Sequence, residues 1–132
     1  MRTRFRRLLS MAIHRSIAAA FGAGFALLPS AAFAHAHLDH ASPAVGGTVA
    51  QPPKEVSLWF TEALEAKFST IEVRDAQNAA VHAGPATLAR GNTAQLRVPL
   101  KALPPGTYKV IWRVLSVDTH RSQGNFTFRV RP

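Results

Sequence analysis

Five stretches of this chain alternate apolar and polar residues with a period of two, and Gly or Pro interrupts the chain between them. In "EVSLWFTE", Val56, Leu58 and Phe60 share one face, and Ser57, Trp59 and Thr61 share the other. "STIEVRD" repeats the pattern with Ile71 and Val73, and "AQLRVPL" with Leu96 and Val98. "TYKVIWRVLSVD" aligns Tyr108, Val110, Trp112 and Val114, and "GNFTFRVRP" aligns Phe126, Phe128 and Val130. Period-two alternation marks strands with one buried face, and such faces must cover one another. The breaks "SPAVGG", "QPPK", "AGPA", "ARGN" and "LPPGT" recur at short spacings, as in an antiparallel sandwich or barrel. Only "EALEAKFS" suggests a short helix or irregular loop. The expectation is one all-β domain without repeats.

Sulfur sharpens that expectation. Cysteine is absent, and the two methionines are Met1 and Met11. A domain built from the rest of the chain must fold without disulfides and hold together by apolar burial alone. Thiolate metal sites and cysteine nucleophiles are excluded.

Residues 1–34 have the order of a signal peptide. Arg2, Arg4, Arg6, Arg7 and Arg15 supply basic charge without an acid. The apolar run "IAAAFGAGFALL", Ile17 to Leu28, falls short of the about 20 residues a membrane span needs. "AAFA" then offers a small-residue cleavage site after Ala34, with cleavage after Ala36 as the alternative. Arg6-Arg7 leaves a twin-arginine route open beside general secretion. The predicted organisation is a signal peptide over 1–34 and one domain over 35–132, exported to the periplasm. The net charge of +9 falls to +4 once the leader is removed, with no run of three basic residues. A nucleic-acid partner is not expected from so scattered a set.

Cleavage after Ala34 would make His35 the first residue and His37 the third. A terminal histidine can chelate one metal through its α-amine and Nδ1. A third-position histidine offers another mode, in which amine, two deprotonated amides and imidazole surround a square-planar ion. Both suit Cu(II), which favours tetragonal nitrogen and oxygen ligands. In "SVDTHRSQG", Asp118 and His120 are two apart and would share a face if extended. Glu62, at the end of "SLWFTE", is a further candidate, as ligand or as acceptor from an imidazole N–H. Each also has a plain structural reading: a frayed terminus for the histidines, an ordinary strand pair for Asp118 and His120, a solvated strand end for Glu62. His40 and His82 read as surface residues, Trp59 and Trp112 as packing residues. Arg113 and Arg121 read as surface charges, with Arg121 adjoining His120.

With these residues assembled, the chain resembles the copper resistance protein CopC family (CopC/YobA-like) of periplasmic copper-binding proteins. The matching elements are "HAHL" with the following Ser42-Pro43, "SLWFTEALEAKFS", "LPPGTYKVIWRVLSVDTH" and "GNFTFRV". The resemblance implies a seven-stranded Greek-key β-barrel or sandwich, cupredoxin-like or immunoglobulin-like. It implies a site for one Cu(II) ion at one end of the barrel. His35 would bind through amine and imidazole, with Asp118 and His120. Glu62 takes part in some relatives, and His37 would be a ligand or a support for one. Some members carry a methionine-rich loop for Cu(I); the corresponding "VHAGPATLARGN" has no methionine. A CopD-like inner-membrane copper transporter is the partner the resemblance implies.

The expected function is periplasmic Cu(II) sequestration, delivery or resistance, without catalysis. Two rivals differ in class. One is an immunoglobulin-like interaction module with incidental histidines. The other is a histidine-brace copper oxidase or monooxygenase.

Overall fold

The computed structural model describes residues 36–132; the leader and His35 lie outside the described residues. Eight strands form in the order β1 (Leu38–Ser42), β2 (Thr48–Val49), β3 (Glu55–Phe60), β4 (Thr70–Arg74), β5 (Thr87–Ala89), β6 (Asn92–Pro99), β7 (Gly106–Leu115) and β8 (Arg121–Val130). One sheet runs β1-β3-β6-β5 and the other β2-β8-β7-β4. Only β5–β6 and β7–β8 are hairpins within a sheet; every other consecutive pair changes sheet. "EALEAKFS" supplies a single 3-10 turn, Ala66–Phe68. The all-β sandwich expected from the alternation is therefore present.

The strand count is eight rather than seven because Thr48–Val49 adds a two-residue strand parallel to β8. Strands β1, β2 and β5 escape the alternation reading. All three lie at sheet edges and bury no residue fully, unlike the edge strand β4, whose Ile71 and Val73 enter the core.

Every apolar position predicted to point inward does so. Val56, Leu58, Phe60, Ile71, Val73, Leu96, Val98, Tyr108, Val110, Trp112, Val114, Phe126, Phe128 and Val130 are all buried. Each large apolar side chain so buried stabilises by about 1.5–3 kcal/mol relative to exposure. Phe60 meets Trp112 edge-on, with centroids 5.2 Å apart and planes at 74°. Tyr108 is buried, and its hydroxyl donates to the Pro104 carbonyl, so its polar end is satisfied.

The β7–β8 hairpin is the longest ladder, ten residues on each side, from Gly106 opposite Val130 to Leu115 opposite Arg121. Within it Trp112 faces Gly124, whose missing side chain admits the indole. A Cβ built at Gly124 would fall 2.8 Å from Trp112 Cε2 and closer still to Cζ2. Gly124→Ala should therefore cost about 1–3 kcal/mol through overpacking. Urea unfolding checks this; an unchanged midpoint would mean that the indole can shift at little cost.

Candidate metal centre

One end of the sandwich gathers the start of β1, the end of β3 and the turn between β7 and β8. That turn is Ser116–His120. Ser116 N donates to the His120 carbonyl at 3.0 Å, and Thr119 N donates to the Ser116 carbonyl at 2.9 Å. Thr119 has φ +74°, the left-handed conformation that reverses the chain so tightly. Val117 N donates to the Ala63 carbonyl at 3.0 Å, and Glu65 N to the Leu115 carbonyl at 2.8 Å. These bonds fasten the turn to the segment after β3.

Asp118 and His120 are thus not in an extended strand, the condition under which their spacing would put them on one face. β7 ends at Leu115, and a turn brings the two together instead. Asp118 Oδ1 lies 3.2 Å from His120 Nδ1. The same oxygen accepts from the Ser116 hydroxyl and, at 3.2 Å, from the His120 backbone N–H. The Ser116 hydroxyl is the largest influence holding the Asp118 carboxyl below its ordinary value. Partial desolvation opposes it, and the His120 backbone and ring reinforce it. The turn thus brings one carboxylate and one imidazole together, with His120 Nδ1 buried against Asp118.

The chain enters this end under tight control. Ala36 is fully buried, and its carbonyl accepts from Ser122 Oγ at 2.5 Å. His37 N donates to Thr61 Oγ1 at 3.0 Å, and Thr61 N returns a bond to the His37 carbonyl at 2.9 Å. Residues 36 and 37 are therefore held by β8 of one sheet and by the end of β3 in the other. The His37 residue is exposed, and Glu62, next to Thr61, is half-buried. Among the described residues no three of His, Cys, Asp and Glu gather closely enough to hold a metal by themselves. His37 and Glu62 thus do not complete a set around Asp118 and His120. His35, the remaining candidate, lies outside the described residues.

Of two other histidines, His40 lies at the surface as expected and His82 does not. His40 is exposed yet engaged: its ring stacks on Trp59 at 4.3 Å and 11°, and its Nδ1 lies 2.7 Å from Asp39 Oδ2. Strand pairing sets His40 opposite Trp59, which the sequence spacing does not reveal. His82 is half-buried, and Val73 N donates to its Nδ1 at 3.2 Å. It sits by Leu100, toward the other end of the sandwich.

Sequence reasoning missed Ser116, Ser122 and Thr61. Signals for two of them were present. Ser116 precedes Asp118 by two, the spacing of a local hydroxyl–carboxylate turn. Ser122 shares the inward phase of Phe126 and Phe128, an unusual place for a polar residue unless it has a partner.

The comparisons agree with this architecture. Residues 38–131 match the family model described as the CopC domain. Protein YobA of Escherichia coli strain K12 is 39% identical over 106 residues, 80% of this chain and 86% of that protein. Copper resistance protein C of Pseudomonas syringae pv. tomato is 38% identical over 117 residues, covering 84% of this chain and 91% of that protein. The crystal structure of CopC from Methylosinus trichosporium OB3b superposes with a TM-score of 0.70 at 34% identity, over 74% of this chain and 95% of that one.

The hydroxyl–carboxylate bond at the turn has a direct signature. A lowered folded-state value means that Asp118 stabilises the fold above its ordinary pKa, and that this stabilisation is lost as pH falls through the lowered value. In Ser116→Ala the Asp118 titration midpoint, followed by NMR, should move up toward the ordinary carboxylate value. An unmoved midpoint would assign the depression to His120 instead.

Proposed function

This chain belongs to the CopC family, and on that premise we propose that it is a periplasmic protein that binds one Cu(II) ion at the turn end of the sandwich for sequestration or delivery. The carrying observation is the 3.2 Å approach of His120 Nδ1 to Asp118 Oδ1 beside the anchored Ala36. Metal–imidazole and metal–carboxylate bonds are about 2.0–2.2 Å long, so two such ligands at right angles stand about 3 Å apart. The observed gap suits adjacent positions in a square plane.

The third and fourth donors come, in this reading, from His35. Ala36 is pinned by Ser122, two residues past His120, and the preceding residue is one peptide link of about 3.8 Å away. Removal of residues 1–34 would free the His35 amine, which chelates together with its imidazole. His37 and Glu62 are then supports for the ligands rather than members of the set. The donor set is nitrogen and oxygen, and no sulfur lies beyond Met11. Such a set suits Cu(II) and lacks the thiolate or thioether sulfur that Cu(I) prefers. It also disfavours redox cycling, so the protein is a carrier rather than a catalyst, and a CopD-like membrane transporter is the acceptor it would serve.

Isothermal titration of the exported protein with Cu(II) should show near 1:1 binding. Asp118→Ala and His120→Ala should each weaken it by at least about tenfold to a hundredfold. One extra residue before His35 should do the same without altering any side chain, because it removes the amine from the chelate. Full affinity in that extended variant would refute terminal chelation.

Proton competition gives a second check. Nitrogen donors bind a metal only when deprotonated, so protons compete with the ion increasingly as pH falls from about 7 to about 5. Asp118, held below the ordinary carboxylate value, stays ionised across that window. Affinity should therefore decline through it on account of the nitrogen donors alone. A flat profile would contradict nitrogen ligation.

A further inference from the structure

Antiparallel pairing arranges the outward side chains of β4, β7 and β8 in rows on the solvent face of their sheet. Arg74 lies opposite Lys109, Arg113 opposite Gln123, Leu115 opposite Arg121, and Thr107 opposite Arg129. Their chain neighbours Val73, Tyr108, Val110, Trp112, Val114, Phe128 and Val130 are buried, so these rows face water. The face carries Arg74, Lys109, Arg113, Arg121 and Arg129. Its strands hold one carboxylate, Glu72, which already binds Arg74 at 3.2 Å. Among the described residues, Lys109, Arg113, Arg121 and Arg129 form no ion pair.

The cations fall into two diagonal pairs, Arg113 with Arg121 and Lys109 with Arg129. Diagonal neighbours across an antiparallel ladder are about 7–8 Å apart. Like charges so close repel, and an anion between them relieves the repulsion. A groove of about 310 Å³ opens at the first pair, lined by Phe68, Arg113, Val114, Arg121, Ser122 and Gln123. Phe68 is 51% exposed there, an apolar wall beside two guanidinium groups.

We propose that this face docks an acidic protein surface, with a carboxylate side chain entering the groove between Arg113 and Arg121. Four of the five cations are arginines, whose planar forks fit carboxylates in bidentate fashion and which are enriched at protein interfaces, where lysine is depleted. The plane of lipid headgroups is flat and does not fill a groove. Phe68 is the one large apolar side chain exposed at the groove, and Ile111 and Leu115 within the rows are half-buried, so the face offers little to insert into a bilayer. This inference stands on charge and shape and is independent of the copper reading.

The test uses the exported protein, residues 35–132, without metal, an oligoglutamate peptide as probe, and backbone NMR at low salt. Shift changes should map to Arg113, Arg121, Gln123 and their row neighbours, and affinity should fall as salt rises. Double reversal, Arg113→Glu with Arg121→Glu, should weaken binding by roughly tenfold or more. The control Lys54→Glu with Arg90→Glu makes the same change in net charge at exposed positions off this face and should change little. Arg113→Gln with Arg121→Gln provides the same reading should the reversed chain fail to fold. Equal loss in target and control pairs would overturn the proposal, since net charge alone would then explain binding. So would shifts spread around Lys54 and Arg90. Binding of phosphatidylglycerol vesicles through these rows without binding of oligoglutamate would also overturn it and make the face a membrane surface.

Discussion

Ten consecutive pairs join β7 to β8, and a slip of one residue would turn every side chain of one strand to the wrong face. The core forbids that slip. Tyr108, Val110, Trp112 and Val114 on one strand, and Phe126, Phe128 and Val130 on the other, are all buried together. Trp112 against Gly124 is a further key, since a large ring accepts only the residue that has no side chain. Register thereby dictates where the ladder ends, at Leu115 opposite Arg121, and leaves five residues for the turn. Those five include both donors at the candidate centre. The placement of Asp118 and His120 is thus inherited from packing far from them.

The turn then needs little extra stabilisation to hold its shape. Ser116 is buried, with its hydroxyl serving the Asp118 carboxylate and, at 3.1 Å, the His120 carbonyl. The chain entry is arranged by the same economy of means. Ser122 and Thr61 each use a side-chain oxygen to hold backbone that would otherwise fray. In the proposed chelate at His35, backbone restrained beforehand lowers the ordering free energy that the metal must supply. The Ser122 and Thr61 hydroxyls restrain the two residues that follow it.

The two outer faces of the sandwich have different characters. On one, His40 stacks on Trp59 beside Asp39, a patch of mixed charge. On the other, arginines and a lysine stand in rows with a single bound carboxylate among them. One side carries charge of both signs, and the charge on the other is nearly all positive. The cationic rows begin at Arg121, immediately after His120, so an acidic partner seated there would stand beside the candidate copper centre.

Much of this was readable in the chain. Alternation identified β3, β4, β6, β7 and β8 and the inward set from Val56 to Val130, because a half-buried strand repeats every two residues whatever its neighbours are. The absence of cysteine excluded disulfides and thiolate ligands outright, because that chemistry needs the atom. His35, Asp118 and His120 stood out as donor types of the right hardness. Other features were decided only by the fold. The edge strands β1, β2 and β5 exist because neighbours pair with them, which no local pattern encodes. His40 finds Trp59, and His82 finds the Val73 backbone, across distances that sequence spacing does not measure. Asp118 and His120 meet through a left-handed turn rather than by alternation, since Thr119 and the anchoring of Val117 to Ala63 override the extended form. Basic residues scattered along the sequence without a run become rows on one face, because antiparallel pairing brings distant residues side by side. Local chemistry and periodicity are properties of the chain; adjacency between remote segments belongs to the packed sheets alone.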